Sequence, residues 1–204
     1  MNTVKIKICG ITNEADAATA VDAGADALGF IFYAGSPRYV EPERAAAIVD
    51  GLPPFVVPVG VFVNATVDEV DEVCGYTGVQ VAQLHGDESP GFCSKLDRPV
   101  IKALRVRDES WKSDAAAYAV GAVLLDTFAE DRYGGTGVPF DWRLVEGSPH
   151  RIILSGGLNP RNVADAVRSV RPYAVDTGSG VEREPGLKDH GKIRAFVEAA
   201  RGAT

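Results

Sequence analysis

Two side chains able to trade a proton stand at the ends of apolar runs. Lys5-Ile6-Lys7-Ile8 terminates in Cys9, and Val123-Leu124-Leu125 terminates in Asp126. A thiolate can take a proton and a carboxylic acid can give one, so a thiol and a carboxyl facing each other suit a reaction that relocates hydrogens. Period-two alternation puts Lys7 and Cys9 on one face of an extended segment, where the ammonium would lower the thiol pKa and favour the thiolate. Each has a plainer reading. Cys9 would be a small buried hydrophobe, Lys7 a structural ion-pair partner, and Asp126 a cap for the loop or helix that follows. Cys74 and Cys93 fall in helical stretches and read as packing residues. Three thiols without close spacing suggest neither a disulfide framework nor a zinc site.

Two glycine-bearing stretches come next, Ser155-Gly156-Gly157-Leu158-Asn159-Pro160 and Thr177-Gly178-Ser179-Gly180-Val181. Glycines let backbone N-H groups approach an anion closely, which makes Gly156, Gly157, Ser179 and Gly180 candidate phosphate contacts; simple turn chemistry is the alternative. In Gly35-Ser36-Pro37-Arg38-Tyr39, Arg38 follows a proline that stiffens the loop. A guanidinium there suits a bidentate grip on a carboxylate, and a solvated loop arginine is the other reading. The glycine-rich segment from Ala129 to Gly137 reads either as a lid or as slack.

These residues need a scaffold that gathers them. Apolar runs recur at Val4 to Cys9, Ala27 to Phe32, Val56 to Val63, Val79 to Leu84, Val100 to Leu104, Val120 to Leu125, Arg151 to Leu154 and Tyr173 to Asp176. Between them apolar residues return at helical spacing, as in Val67, Val70, Val73 and Cys74. Thr66 with Glu69 predicts a capping box, and Asn159-Pro160 predicts a helix start. The weakest helices are expected after the fifth and sixth strands, over Trp111 to Tyr118 and Asp141 to Glu146. Strict alternation of strands that are apolar on both faces implies parallel pairing, and eight units predict a single (β/α)8 TIM barrel domain spanning residues 1–204. An open doubly wound sheet is the competitor, but the chain lacks G-x-G-x-x-G after its first strand and G-x-x-x-x-G-K-[ST] anywhere. In a barrel the strand C-terminal ends carry function, and phosphate commonly sits after strands seven and eight.

Composition narrows the class. The 28 acidic against 21 Lys and Arg residues give a net charge of -7, which argues against a nucleic-acid-binding face. No apolar run reaches the roughly 18 residues of a membrane span, and the start Met1-Asn2-Thr3-Val4-Lys5 lacks the layout of a secretory signal, so a cytoplasmic protein without membrane partners is expected.

The sequence closely resembles the phosphoribosylanthranilate isomerases. The resemblance rests on Lys7-Ile8-Cys9-Gly10-Ile11-Thr12, Gly29-Phe30-Ile31-Phe32 with Ser36-Pro37-Arg38, Val59-Gly60-Val61-Phe62, Gln83-Leu84-His85-Gly86 and Leu124-Leu125-Asp126. It continues through Gly134-Gly135-Thr136-Gly137 with Phe140-Asp141-Trp142, Leu154-Ser155-Gly156-Gly157-Leu158-Asn159-Pro160, and Ser179-Gly180-Val181-Glu182 with Pro185-Gly186. It implies an Amadori rearrangement of N-(5-phosphoribosyl)anthranilate to 1-(2-carboxyphenylamino)-1-deoxyribulose 5-phosphate in tryptophan biosynthesis, by a monomer or homodimer without metal or organic cofactor. Carried over by position, it implies Asp126 as general acid, Cys9 as general base, Arg38 as the carboxylate contact and the two glycine loops as the phosphate cradle. Asp176 matches a family position near the substrate and His85 stands in a family motif at the end of strand four, where a structural hydrogen-bonding role is the other reading; with Lys7 they are candidates for positioning the substrate. One departure is Gly178, where the family commonly has a serine. Two alternatives remain. The related aldose-ketose isomerase barrel of histidine biosynthesis carries an Asp where this chain has Cys9, and a non-catalytic phosphate-binding barrel needs neither Cys9 nor Asp126.

Overall fold

The computed structural model of the chain describes residues 3–127, 140–145 and 148–203. Eight strands, β1 (Lys5–Cys9), β2 (Ala27–Ile31), β3 (Val57–Phe62), β4 (Val81–Leu84), β5 (Val100–Val106), β6 (Ala122–Thr127), β7 (Ile152–Leu154) and β8 (Ala174–Thr177), close into one barrel in sequence order. Every neighbouring pair is parallel, including the closing pair β1 and β8. The expected TIM barrel is therefore the observed fold.

The continuous apolar runs exist because each strand is buried twice. Ile6, Ile8, Leu28, Phe30, Leu125, Leu154 and Val175 join the helix-covered core outside the barrel. Ala103, Ala122, Leu124, Ile153 and Ala174 form a separate cluster. Alternation assigns these to the interior, where small side chains suit the crowding of eight strands. The same alternation carries Lys7, Cys9, Gln83, Asp126 and Asp176 inward, one layer nearer the strand C-terminal ends. The fold thus turns an apolar floor into a polar mouth.

Among the described residues seven helices flank the strands: α1 (Glu14–Ala23), α2 (Pro42–Asp50), α3 (Val67–Thr77), α4 (Pro90–Cys93), α5 (Ser110–Ala116), α6 (Val163–Val170) and α7 (His190–Arg201). The capping box at α3 is present in both directions, with Glu69 N-H donating to Thr66 Oγ1 at 3.2 Å and Thr66 N-H to Glu69 Oε2 at 2.7 Å. The shortened helices after β5 and β6 are also found: α5 is seven residues, and among the described residues after β6 a 3₁₀ turn, Trp142–Val145, stands in the second place.

Two expectations need correction. α4 is shorter still, with four residues. Ser89 caps it and Pro90 opens it properly, but the chain must reach Pro99 and the start of β5 almost at once. At Asn159-Pro160 the regular helix begins later than expected. Asn159 Oδ1 accepts the N-H of Arg161, Asn162 Oδ1 accepts the N-H of Asn159, and the Asn159 carbonyl accepts the N-H of Val163 at 3.1 Å, so the expected cap closes a turn that leads into α6, whose regular part starts at Val163. Short amide side chains satisfy the N-H groups that a helix start leaves without partners. Beyond β8, a 3₁₀ turn (Ser179–Val181) leads into an antiparallel hairpin of β9 (Glu182–Glu184) and β10 (Leu187–Lys188), an element the periodicity does not announce. Among the described residues no helix is long and apolar enough to cross a membrane.

Candidate active site

At the C-terminal ends of the strands lies a cavity whose wall includes Cys9, Arg38, His85, Asp126, Gly156, Gly157, Asp176 and Ser179. Residues drawn from seven separate stretches of the chain thus meet at one mouth. Of the candidate phosphate contacts only Gly180 is not on the wall; it is packed against the Leu158 carbonyl. The glycine-rich segment considered as a lid lies outside the described residues.

Cys9 owes its place to Gly29. The two are paired across β1 and β2, and a Cβ at position 29 would stand 2.7 Å from the Cys9 sulfur and 3.2 Å from Cε of Lys7. Only a glycine leaves room for the thiol and the lysine stem side by side. Lys7 is opposite Asp176 in the β1–β8 register, and its ammonium donates to Asp176 Oδ1 at 2.7 Å, with both side chains buried. Asp176 Oδ2 accepts from Ser155 Oγ at 3.0 Å, so the carboxylate is held on two sides.

The electrostatics of Cys9 differ from the expectation. Burial pushes its thiol pKa up; Lys7 draws it down, Asp176 pushes it up again, and the net displacement is upward. The ammonium is beside the thiol, but its charge is shared with Asp176. Lys7 itself is pushed down by burial and lifted more strongly by Asp176 and Cys9, ending above its ordinary value. Both readings of Lys7 therefore describe the same side chain: it is an ion-pair partner and the nearest cation to the thiol.

Asp126 enters from β6. Its Oδ1 accepts the N-H of Thr127 at 2.8 Å, and its Oδ2 lies 3.3 Å from His85 Nε2. That nitrogen makes no hydrogen bond, because the approach is poorly aligned. The other ring nitrogen, Nδ1, is 3.0 Å from Gln83 Nε2. With the amide donating to Nδ1, the ring proton resides on Nε2, on the side of Asp126. One carboxyl oxygen is thereby fixed by backbone and the other is left facing the cavity. Gly156, at φ 77, makes the next turn possible: any side chain there would press on Thr127 and come within 3.1 Å of Asp126 Oδ1.

Arg38 is neither a solvated loop residue nor a free cation. The N-H of Arg38 donates to Ser36 Oγ at 3.1 Å, which fixes the turn, and the guanidinium donates through Nε and Nη2 to the two oxygens of Glu182, each at 2.8 Å. These bonds raise the Arg38 pKa. Glu182, pushed up by burial, is drawn down further by Arg38 and Lys188, so it stays ionised. Glu182, Lys188, Gln83 and Ser155 are the site residues that sequence reasoning missed. Glu182 and Arg38 are 144 residues apart in the chain, and no local spacing links them. Gly178 also lies on the cavity wall, and a Cβ there would meet the Cys9 carbonyl at 3.4 Å, an ordinary contact, so the site has room for a serine at this position.

Chemically the mouth offers a thiol, a carboxyl with one oxygen exposed to the cavity, a guanidinium and two glycine loops, all within one enclosure. Comparison with known proteins gives one family. A family described as N-(5'-phosphoribosyl)anthranilate (PRA) isomerase matches residues 6–199. The N-(5'-phosphoribosyl)anthranilate isomerase of Trichlorobacter lovleyi is 50% identical over 203 residues, covering 98% of this chain and 99% of that one. The crystal structure of phosphoribosyl anthranilate isomerase from Thermotoga maritima superposes with a TM-score of 0.92 at 45% identity, over 98% of this chain and 100% of that one. A phosphoribosyl anthranilate isomerase solved in complex with reduced 1-(o-carboxyphenylamino)-1-deoxyribulose 5-phosphate superposes with a TM-score of 0.89 at 44% identity, again over 98% and 100% of the two chains.

Proposed function

The chain belongs to the N-(5'-phosphoribosyl)anthranilate isomerase family, and on that premise we propose that Asp126 and Cys9 carry the family's Amadori rearrangement as acid and base. The enzyme acts in tryptophan biosynthesis, converting N-(5-phosphoribosyl)anthranilate to 1-(2-carboxyphenylamino)-1-deoxyribulose 5-phosphate. We read the whole chain as one catalytic domain working in the cytoplasm.

The observation that carries the reading is the convergence of Cys9 and Asp126, 117 positions apart in the chain, on one cavity wall. Asp126 gives a proton to the furanose ring oxygen through Oδ2, the oxygen not held by Thr127. The bond from the anomeric carbon to that oxygen breaks as the anthranilate nitrogen supplies its electron pair, leaving a protonated Schiff base. The Cys9 thiolate then removes the hydrogen from the adjacent sugar carbon, and the electrons of that C-H bond flow to the iminium nitrogen. The resulting enolamine loses its hydroxyl proton and gains one at the former anomeric carbon, which gives the ketone. Two protons are taken and two returned, so the substrate is isomerised with no net change.

Binding determinants surround this pair. Arg38 faces the anthranilate carboxylate, and the N-H groups at Gly156, Gly157 and Ser179 receive the phosphate. Lys7 keeps a positive charge beside the thiol, and Asp176 and Ser155 keep Lys7 in place. His85 keeps its Nε2 beside Asp126, 3.3 Å from Oδ2. The direct test is a fluorescence assay following loss of freshly generated N-(5-phosphoribosyl)anthranilate. Turnover by the purified protein is expected; absence of turnover, with activity on the histidine-pathway isomerase substrate instead, overturns the reading.

A further inference from the structure

We propose that Glu182, tethered by Lys188, is a positioning residue that aims Arg38 at the substrate's carboxylate and ties that grip to the strand end bearing Cys9. This rests on the assignment of Arg38 and Cys9 given above.

A guanidinium has two donor edges. The side-on edge, Nε with Nη2, is fully taken by the two oxygens of Glu182 at 2.8 Å. The end-on edge, Nη1 with the second hydrogen of Nη2, has no protein partner among the described residues, and Arg38 lies on the cavity wall. A planar fork held along one edge cannot rotate, so its other edge keeps one direction. Below, the stem rests on Gly10, where a Cβ would stand 2.9 Å from Arg38 Cδ. Arg38 is thus pinned at its head and along its stem, and its remaining donors match a second, incoming carboxylate.

Glu182 is fixed in turn. Its Oε1 accepts from Lys188 Nζ at 2.9 Å. Lys188 is completely buried, and the same ammonium donates to the carbonyls of Cys9 at 2.6 Å and Gly178 at 3.1 Å. Three points of the site converge on one nitrogen: the end of β1, the loop after β8 and the carboxylate that holds Arg38. Burying a full charge so deeply is expensive, and a hydrophobic substitute of similar volume commonly serves stability as well or better. Fixing the relative placement of these parts is what the ammonium achieves that a hydrophobe would not. The hairpin β9–β10 delivers both members, which gives that unannounced element a purpose.

The test compares two non-reacting probes by titration calorimetry: the reduced product analogue, and the same molecule without its benzoate carboxylate. In Glu182→Gln the carboxylate-bearing probe should bind about tenfold or more weakly, because an undirected guanidinium loses most of a charge-assisted contact. The probe without the carboxylate should keep its affinity within about twofold. Glu182→Asp keeps the negative charge but draws it back from Arg38 and Lys188 by one methylene; it should show the same selective loss and carries the test should the Gln variant not fold. In an Arg38→Ala background, Glu182→Gln should add no further loss. Equal weakening of both probes, no weakening, or additive losses overturn the proposal. If Arg38→Ala itself spares the discrimination between the probes, the carboxylate assignment of Arg38 fails instead.

Discussion

Cys9 has to ionise in a place that resists ionisation. Burial and Asp176 lift its thiol, Lys7 draws it back, and the balance stands above the ordinary thiol value. A base whose pKa is raised is present in active form only as pH climbs, so kcat/KM should increase through and beyond the usual thiol range of about 8.5. Lys7→Met removes the cation that favours the thiolate and leaves Asp176 uncompensated, which should move the same limb further to alkaline pH; a profile already flat from neutral pH upward would contradict this. Kinetic parameters should separate the other groups. Asp126→Asn should lower kcat by about 10²- to 10⁴-fold with KM little changed, whereas Arg38→Ala should mainly raise KM. An Arg38→Ala variant affected only in kcat would remove it from substrate binding. Much of this chemistry was legible from residue type and position, because a polar side chain closing an apolar strand is conspicuous. Gln83, Glu182 and Lys188 were not legible. Their meaning comes from partners brought near by closure of the barrel, and the upward net displacement at Cys9 depends on how Asp176 divides the charge of Lys7.

Strands were easier to read than helices for a physical reason. A barrel strand is buried on both faces and must be apolar throughout, while a flanking helix needs only a stripe, and a four-residue turn such as α4 needs hardly that. Signals that act through backbone hydrogen bonding held where nothing competed, as in the Thr66 and Glu69 box. At Asn159 the capping side chain is also in place, but the turn it closes runs to Asn162 before the regular helix begins. The β9–β10 hairpin escaped notice because its residues, Glu182, Arg183 and Glu184 against Leu187 and Lys188, are mostly charged and too few to show a period. Thr66→Ala isolates the element scale, since α3 starts far from the thiol and carboxyl in sequence and contributes no named site residue. Loss of the cap should lower Tm by about 3 °C for a domain of this size, with kcat unchanged. A fall in turnover without a change in Tm would mean that α3 has a role beyond support.

At the scale of the molecule, 204 residues spread over eight strand-helix units leave about 25 for each, against roughly 250 in total for a typical barrel. The economy is visible in α4, α5 and the 3₁₀ turn Trp142–Val145, while the strands keep their register all round. The net charge of -7 sets the field through which a phosphorylated, carboxylated substrate must pass. Arg38, Lys7, Lys188 and the glycine N-H donors oppose that field only at short range. Screening acts over about 10 Å at 0.1 M salt, so it weakens the long-range repulsion more than the buried contacts, and kcat/KM should rise or hold steady as salt is added up to that concentration. A steep decline would show that the exterior attracts substrate, contrary to its net charge. The central claim concerns the thiol, and Cys9→Ser tests it most directly when turnover and affinity are measured together. The account predicts turnover lower by orders of magnitude in the fluorescence assay with affinity for the reduced product analogue unchanged; turnover like that of the wild type would contradict it.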